Sequence, residues 1–269
     1  MKRMLVFLKL GGSLITNKAG IQQPRLRLMR RLFGEIRTSM ESNPDLQILL
    51  GHGSGSFGHV PASKFRTLQG VHTPEEWQGF SEVWQAAHAL NFIVMKELAN
   101  AGLPAIAVSP SSAVVSRNRE ILDWDIAPIQ AALSHGILPV IFGDVVFDQI
   151  LGGTILSTED IFVHLAPRLN PARILLAGVE KGVWADFPQN KHLARMITPN
   201  SLKKMDQQPE GSEYVDVTGG MRQKVEMMSA LVEVNPKVTV SIFSGSQPGT
   251  LQKALAGFEP GTTIRAREE

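Results

Sequence analysis

Met4-Leu5-Val6-Phe7-Leu8-Lys9-Leu10-Gly11-Gly12-Ser13 is the stretch that sets the class of fold. A short apolar run closed by glycines reads as a buried strand that ends in a tight backbone loop. Lys9 interrupts the run at the strand's end, where its ammonium needs an anionic partner. Glycine at the carboxyl end of a strand leaves backbone N–H groups bare, and a polyanion can approach them closely.

Working outward, short apolar runs alternate with helical patterns, which predicts parallel strands joined by crossover helices. The spacing predicts a helix over 25–40, a strand over 47–50 and a long helix from Pro74 to about Asn100, then strands over 105–108 and 138–142. Further along it predicts a helix over 160–169, a strand over 173–177, a helix over 221–234 opened by Thr218-Gly219-Gly220, and a last strand over 237–243. The segments 114–122 and 145–156 carry turn signals and alternation and read as hairpin excursions, while the polar stretch 188–211 reads as loop. There is no repeat and no low-complexity linker. If the chain has two lobes, they join near 165–175.

Composition narrows the function. The 269 residues carry 27 basic against 25 acidic side chains, a net charge of +2, with no run of like charge. That balance gives no electrostatic footing for a nucleic acid or a membrane surface. The absence of cysteine removes thiolate nucleophiles, cysteine-ligated zinc and disulfides. The apolar run Met4–Leu8 is too short for a signal peptide, no stretch reaches the length of a membrane span, and a cytoplasmic protein is expected.

Three glycine loops stand beside cationic side chains: Gly11-Gly12-Ser13 with Lys9 and Lys18, the stretch Gly51–Gly58 with His59, and Thr218-Gly219-Gly220 with Lys224. Phosphoryl transfer needs positioned positive charge more than covalent chemistry, and such a ring of cations would provide it. Gly53-x-Gly55-x-x-Gly58 also matches the dinucleotide fingerprint, but Pro61 follows it and Glu75 and Glu76 begin a helix instead of ending a strand, which argues against a nicotinamide enzyme. No loop ends in Gly-Lys-Ser/Thr, so a Walker A motif is missing. His52 and His59 lack a third ligand nearby, and no protein-held metal site is expected. Ser157-Thr158-Glu159-Asp160 reads as a capping box whose carboxylates could also hold lysines in place or help bind Mg²⁺. Trp77, Phe80 and Trp84 recur at helical spacing, either as core or as the wall of a pocket for an apolar tail.

Taken together, Lys9-Leu-Gly-Gly-Ser13 with Ile15-Thr16-x-Lys18, then Gly53-Ser-Gly-Ser-Phe-Gly-His59, then Asp216-Val-Thr-Gly-Gly-Met-x-x-Lys224 resemble the amino acid kinase superfamily, and within it the isopentenyl phosphate kinase branch. The resemblance runs from Lys9 to about Gly245 and is most specific at Ser56-Phe57-Gly58-His59. It implies a three-layer αβα sandwich with a mostly parallel sheet, in one domain with an acceptor-binding lobe over about 1–170 and an ATP-binding lobe over about 171–269. It implies transfer of the γ-phosphoryl group of ATP, with Mg²⁺, to a small-molecule phosphate acceptor, and a homodimer.

The same resemblance distributes roles. Lys9, Gly11, Gly12 and Ser13 fall on the ATP-phosphate loop, Lys18 on the transition-state lysine, and Gly220 and Lys224 on the late ATP-binding positions. His59 falls on the acceptor-phosphate ligand, helped by Ser54, Gly55, Gly58 and Thr158, with Trp77, Phe80 and Trp84 at the acceptor's tail. The chain departs from the family at Ser54, where a glycine is usual, and at Ser157-Thr158-Glu159-Asp160, where Ser-Gly-Asp-Asp is usual. The lysine-organising carboxylate is therefore Glu159 or Asp160. Gly178-Val-Glu-Lys-Gly-Val-Trp184 replaces the usual nucleotide segment and puts Val179 and Lys181 at its contact positions. Rival readings are a kinase for another phosphorus acid such as a fosfomycin-type phosphonate, a carboxylate kinase, which His59 argues against, and a catalytically silent nucleotide sensor of the same fold.

Overall fold

The computed structural model describes residues 3–17, 20–186, 189–206 and 219–267. In chain order these form β1 (Met4–Leu10), α1 (Gly12–Ile15), α2 (Leu26–Ser42), β2 (Leu46–His52), α3 (Gly55–Lys64), a short 3₁₀ turn (Thr67–Gln69), α4 (Pro74–Asn100) and β3 (Ala105–Ala107). Next come α5 (Pro110–Ala113), β4 (Val115–Arg117), β5 (Glu120–Asp123), α6 (Ala127–Ser134), β6 (Leu138–Phe142), β7 (Asp144–Asp148) and β8 (Gly152–Leu156). The chain continues through α7 (Thr158–Leu169), β9 (Arg173–Gly178), β10 (Met196–Ile197), α8 (Pro199–Asp206), α9 (Gly219–Val234), β11 (Thr239–Ser244), α10 (Thr250–Leu255) and β12 (Thr262–Ile264).

An eight-stranded sheet runs in the order β10-β12-β11-β9-β1-β2-β6-β3, with every neighbouring pair parallel except β11 and β12. Strand alternation decides what each face receives. Val6, Leu8 and Leu10 of β1 enter a core shared with α2, α4 and α10, whereas Leu5 and Phe7 enter the opposite core beneath α6, α7 and α9. Lys9 belongs to the same alternating set as Leu5 and Phe7, so β1 delivers its ammonium to the side covered by α7 and α9. The sheet crosses the 165–175 region without a break, because β9 pairs directly with β1.

The two predicted hairpins form a second sheet of four strands in the order β5-β4-β7-β8. Asn118 and Arg119 turn the β4–β5 hairpin at φ 49° and 69°, the geometry of a two-residue turn that follows the strand twist. One carboxylate fastens this sheet. Asp148 Oδ1 accepts from the backbone N–H groups of Asn118, Ile150 and Leu151 at 2.9 Å, and Oδ2 accepts from Arg119 N at 2.8 Å and Ser116 Oγ at 2.7 Å. Burial works to raise the Asp148 carboxyl, and these donors override it and hold it well below the usual carboxylate range.

Three expectations change. The polar 188–211 stretch, as far as 189–206 is described, contains β10 and α8. Thr198-Pro199-Asn200-Ser201 starts that helix: Thr198 N donates to Ser201 Oγ at 2.8 Å, Ser201 N donates to Thr198 Oγ1 at 3.1 Å, and Pro199 fits a first helical position. The Gly53-Gly55-Gly58 loop does open a helix at once, with Pro61 carried inside it. The three-residue strand β12, preceded by Pro260-Gly261, extends the sheet beyond β11.

Replacing Asp148 by alanine strands several buried donors at once, and a loss of about 2–4 kcal/mol is expected. Urea denaturation of Asp148→Ala measures it; an unchanged midpoint would show that the turns hold without the carboxylate.

Candidate active site

The carboxyl ends of β1 and β2 lie side by side, so the loops that follow them meet, as ligand-binding loops do at the carboxyl ends of parallel strands. The meeting is backbone on backbone. A Cβ on Gly12 would overlap the Gly55 nitrogen and lie 2.6 Å from its Cα, and a Cβ on Gly53 would lie 3.0 Å from Gly12 N. Gly55 itself sits at φ 51°, a conformation glycine adopts without strain. Ser54, the departure from glycine, directs its hydroxymethyl group over Gly58, where a Cβ would lie 2.6 Å from Ser54 Cβ.

Both loops open into one cavity of about 910 Å³. Lys9, Gly11, Gly12, Ser13, Gly220 and Lys224 line one part of it; Ser54, Gly55, Gly58, His59 and Thr158 line the adjoining part. The lining residues of α3, His59 with Ala62 and Ser63, are spaced to share one helix face, and Arg66 lines the cavity just beyond the helix. Beyond them the wall becomes apolar, with Leu68, Val83, Ala87, Ile155 and Leu156.

The electrostatic centre is Glu159, 6% exposed in the first turn of α7. Its carboxylate forms an ion pair with Lys9, and its other oxygen lies 3.5 Å from Lys224 Nζ. Burial works to raise the Glu159 carboxyl, and the ammonium groups of Lys9 and Lys224 override it and hold it down to about 2. Burial in turn pulls Lys9 below the ordinary lysine range, with Glu159 opposing and Lys224 assisting that shift. Two ammonium groups thus share one carboxylate, an excess of positive charge in a desolvated site that a polyphosphate would neutralise.

The choice between Glu159 and Asp160 follows from helix capping. Ser157 Oγ accepts from Asp160 N at 3.1 Å, and Asp160 Oδ2 accepts from Ser157 N at 2.8 Å, a reciprocal capping box. Asp160 Oδ2 also faces Arg119 Nη2 at 3.5 Å. Asp160 is spent on the cap, and Glu159 alone of the two touches the lysines. Thr158 Oγ1 donates to the His52 carbonyl at 2.7 Å, which ties the start of α7 to the end of β2.

Other expected positions fall elsewhere. Lys18 lies outside the described residues, as does the Asp216–Thr218 part of the third motif. Val179 and Lys181 are exposed in the turn after β9 and do not line this cavity. The aromatic stripe is also displaced: Phe80 is buried against Val71, Val83 and Val145, and Trp77 packs on Phe80 and Phe147 at ring separations of 5.2 and 5.9 Å. Trp84 packs tilted on His88 at a ring separation of 4.2 Å and donates to Ser111 Oγ at 3.1 Å. The pocket wall of α4 is instead Val83 and Ala87, one helical turn apart on the face that the aromatic pattern overshadowed.

Three further residues carry no assignment from sequence. Arg66, at φ 50°, lines the cavity, and so does the buried Asp144, which accepts from Val145 N at 2.9 Å and Ser111 N at 3.2 Å and faces His88 Nε2 at 3.1 Å. His52 is 1% exposed, and burial keeps it below the ordinary histidine range, so it is a neutral ring against Asn91 and Phe142. Among the described residues no group of three His, Cys, Asp or Glu side chains is placed to hold a metal, and no helix is long and apolar enough to cross a membrane.

Comparison with known proteins gives matches along most of the chain. The model of the amino acid kinase family matches residues 4–244. The isopentenyl phosphate kinase of Methanocaldococcus jannaschii is 33% identical over 268 residues, covering 97% of this chain and 98% of that protein. The isopentenyl phosphate kinase of Methanothermobacter thermautotrophicus is 31% identical over 276 residues, covering 98% of this chain and 100% of that protein. A crystal structure of an isopentenyl phosphate kinase superposes with a TM-score of 0.80 at 29% identity, covering 97% of this chain and 99% of that one.

The depressed Glu159 carboxyl makes stability depend on acid. The unfolded carboxyl titrates near its ordinary value, so its contribution is complete above about pH 5 and is lost as pH falls toward 2. Glu159→Gln should flatten that part of the stability curve in urea titrations between about pH 3 and 6. An identical slope in the variant would remove Glu159 from the centre of the site.

Proposed function

The chain belongs to the amino acid kinase family, and from that premise we propose that it transfers the γ-phosphoryl group of ATP to isopentenyl phosphate, giving isopentenyl diphosphate and ADP. One observation carries the reading: the cavity that joins Lys9 and Lys224 to His59 continues into the apolar wall of Val83, Ala87 and Ile155. Its polar part suits a polyphosphate beside a monophosphate and its apolar part a short hydrocarbon tail. A small polar phosphonate or a carboxylate acceptor would leave that apolar wall facing water.

In this reading the nucleotide's terminal phosphates rest on the backbone of Gly11, Gly12 and Ser13 and on Lys9, with Gly220 and Lys224 closing over them. The acceptor phosphate rests on His59 and on the backbone of Ser54 and Gly55 at the start of α3, where the helix dipole favours an anion. An anionic oxygen of the acceptor attacks the γ-phosphorus, the new P–O bond forms in line with the breaking bond, and ADP leaves with the electron pair of the bridging oxygen. The attacking oxygen is already largely ionised at neutral pH, so no side chain has to remove a proton. The barrier lies in bringing two anions together, and Lys9, Lys224 and Lys18 lower it by spreading positive charge over the migrating group.

The carboxylates nearest the lysines and the cavity do not fit a protein-held Mg²⁺: Glu159 is bound to lysines, Asp160 to its cap and Asp144 to His88 and two backbone donors. Mg²⁺ accordingly enters with ATP, as part of that substrate. The protein works in the cytoplasm as a homodimer. The support for the dimer is Phe92, 72% exposed on the outward face of α4, together with the open edge of the sheet at β3.

A panel of monophosphates, phosphonates and carboxylates offered with Mg-ATP tests the acceptor, with isopentenyl phosphate expected to be turned over fastest; preference for a carboxylate would overturn the reading. His59→Ala is expected to lower kcat/KM for isopentenyl phosphate by about 100-fold or more while the Kd for ATP stays within about threefold. A parallel loss of ATP affinity would take His59 away from the acceptor. Phe92→Glu should sediment as a monomer, and a variant that sediments like the parent would place the dimer contact elsewhere.

A further inference from the structure

Thr16 belongs to the first sequence motif but does not line the cavity. It is 1% exposed. Its hydroxyl donates to the Gly12 carbonyl at 2.7 Å and accepts from the Ser56 backbone N–H at 3.0 Å. Both partners are backbone groups, so the direction of each bond is fixed: a carbonyl can only accept and an N–H can only donate. A single oxygen therefore links the loop after β1 to the loop after β2. Gly55 passes directly over that oxygen, and a Cβ there would overlap it.

We propose that Thr16 is a positioning residue for phosphoryl transfer, its hydroxyl locking the nucleotide-phosphate loop to the acceptor-phosphate loop so that the two phosphates meet at reacting distance. The inference rests on the proposed kinase reading. Its physical basis is that in-line transfer depends steeply on the separation and alignment of two bound groups, and a shift of about 1 Å can cost about 100-fold in rate. The side chain's own backbone is held in place, with Thr16 N donating to Gly12 O at 2.9 Å and Arg25 N donating to Ile15 O at 2.8 Å, so the hydroxyl is a fixed point and not a swinging one. Van der Waals contact between the glycines sets how near the loops can come, and the hydroxyl sets their register.

A merely structural hydroxyl would lower stability and leave the chemical step alone; a lock between loops lowers kcat. Thr16→Val keeps the shape and removes both bonds, and Thr16→Ser keeps both bonds and removes a methyl group. Steady-state kinetics with isopentenyl phosphate and Mg-ATP should show kcat reduced about 30- to 100-fold in Thr16→Val, each KM within about threefold, and Thr16→Ser close to the parent. If the valine variant fails to fold, Thr16→Ala is measured in its place with the same expectation. A parental kcat in the valine or alanine variant, whatever its melting temperature, overturns the proposal, as does a serine variant as slow as valine. The parent enzyme run alongside separates the two levels: no turnover of isopentenyl phosphate by the parent overturns the kinase reading and this inference with it, whereas turnover that the variants match overturns this inference alone.

Discussion

Two glycine loops touching backbone to backbone are the constraint from which the rest of the site follows. Adjacent parallel strands end about 5 Å apart, so the loops that leave them compete for the same space. Side chains at Gly12 or Gly55 would separate the loops, because a methyl group at either position would overlap the other loop's backbone or the Thr16 hydroxyl. With the loops in contact, both border a common volume. A cavity that would otherwise be two shallow phosphate cradles becomes one crevice with two ends.

Charge is arranged around that contact by elements that are remote in sequence. Lys9 arrives from a central strand, Glu159 from the start of α7 and Lys224 from the first turns of α9, and they meet because β1 directs its odd-numbered side chains to the face those helices cover. One buried carboxylate between two ammonium groups keeps both oriented and leaves a surplus positive charge. A buried ion pair of this kind is poor evidence for stability, since its desolvation cost is large. In the proposed reading its value lies in presenting a buried Lys9 ammonium, with Lys224 beside it, to a polyphosphate.

Much of this is legible in the sequence, and the exceptions have identifiable causes. The strand Met4–Leu10, the long helix from Pro74 and both hairpins are visible because local signals agree with the tertiary outcome: alternation, a proline at the first helical turn, and turn residues between apolar runs. The capping box at Ser157 is legible too, but only the structure separates Glu159 from Asp160, since which carboxylate reaches the lysines depends on where α7 lies against β1. The wall of the pocket is easily misread because large aromatic residues dominate a periodic pattern, while the side chains that border a cavity are the smaller Val83 and Ala87 that leave it room. The role of Thr16 is hidden for a related reason. A β-branched hydroxyl residue after a glycine loop has no special look, and its partners, the Gly12 carbonyl and the Ser56 N–H, are backbone groups that sequence does not display.

In the proposed reaction a nucleotide and an acceptor lie end to end in a single crevice. The most direct test is the affinity of a joined ligand, adenosine and an isopentenyl group connected through a tetraphosphate, measured by calorimetry against ATP and isopentenyl phosphate separately. If the two ends share one crevice, the joined ligand should bind at least about 100-fold more tightly than ATP alone, because the cost of immobilising the second group is already met. Affinity no better than that of ATP would mean that the two ends of the cavity are not aligned for transfer.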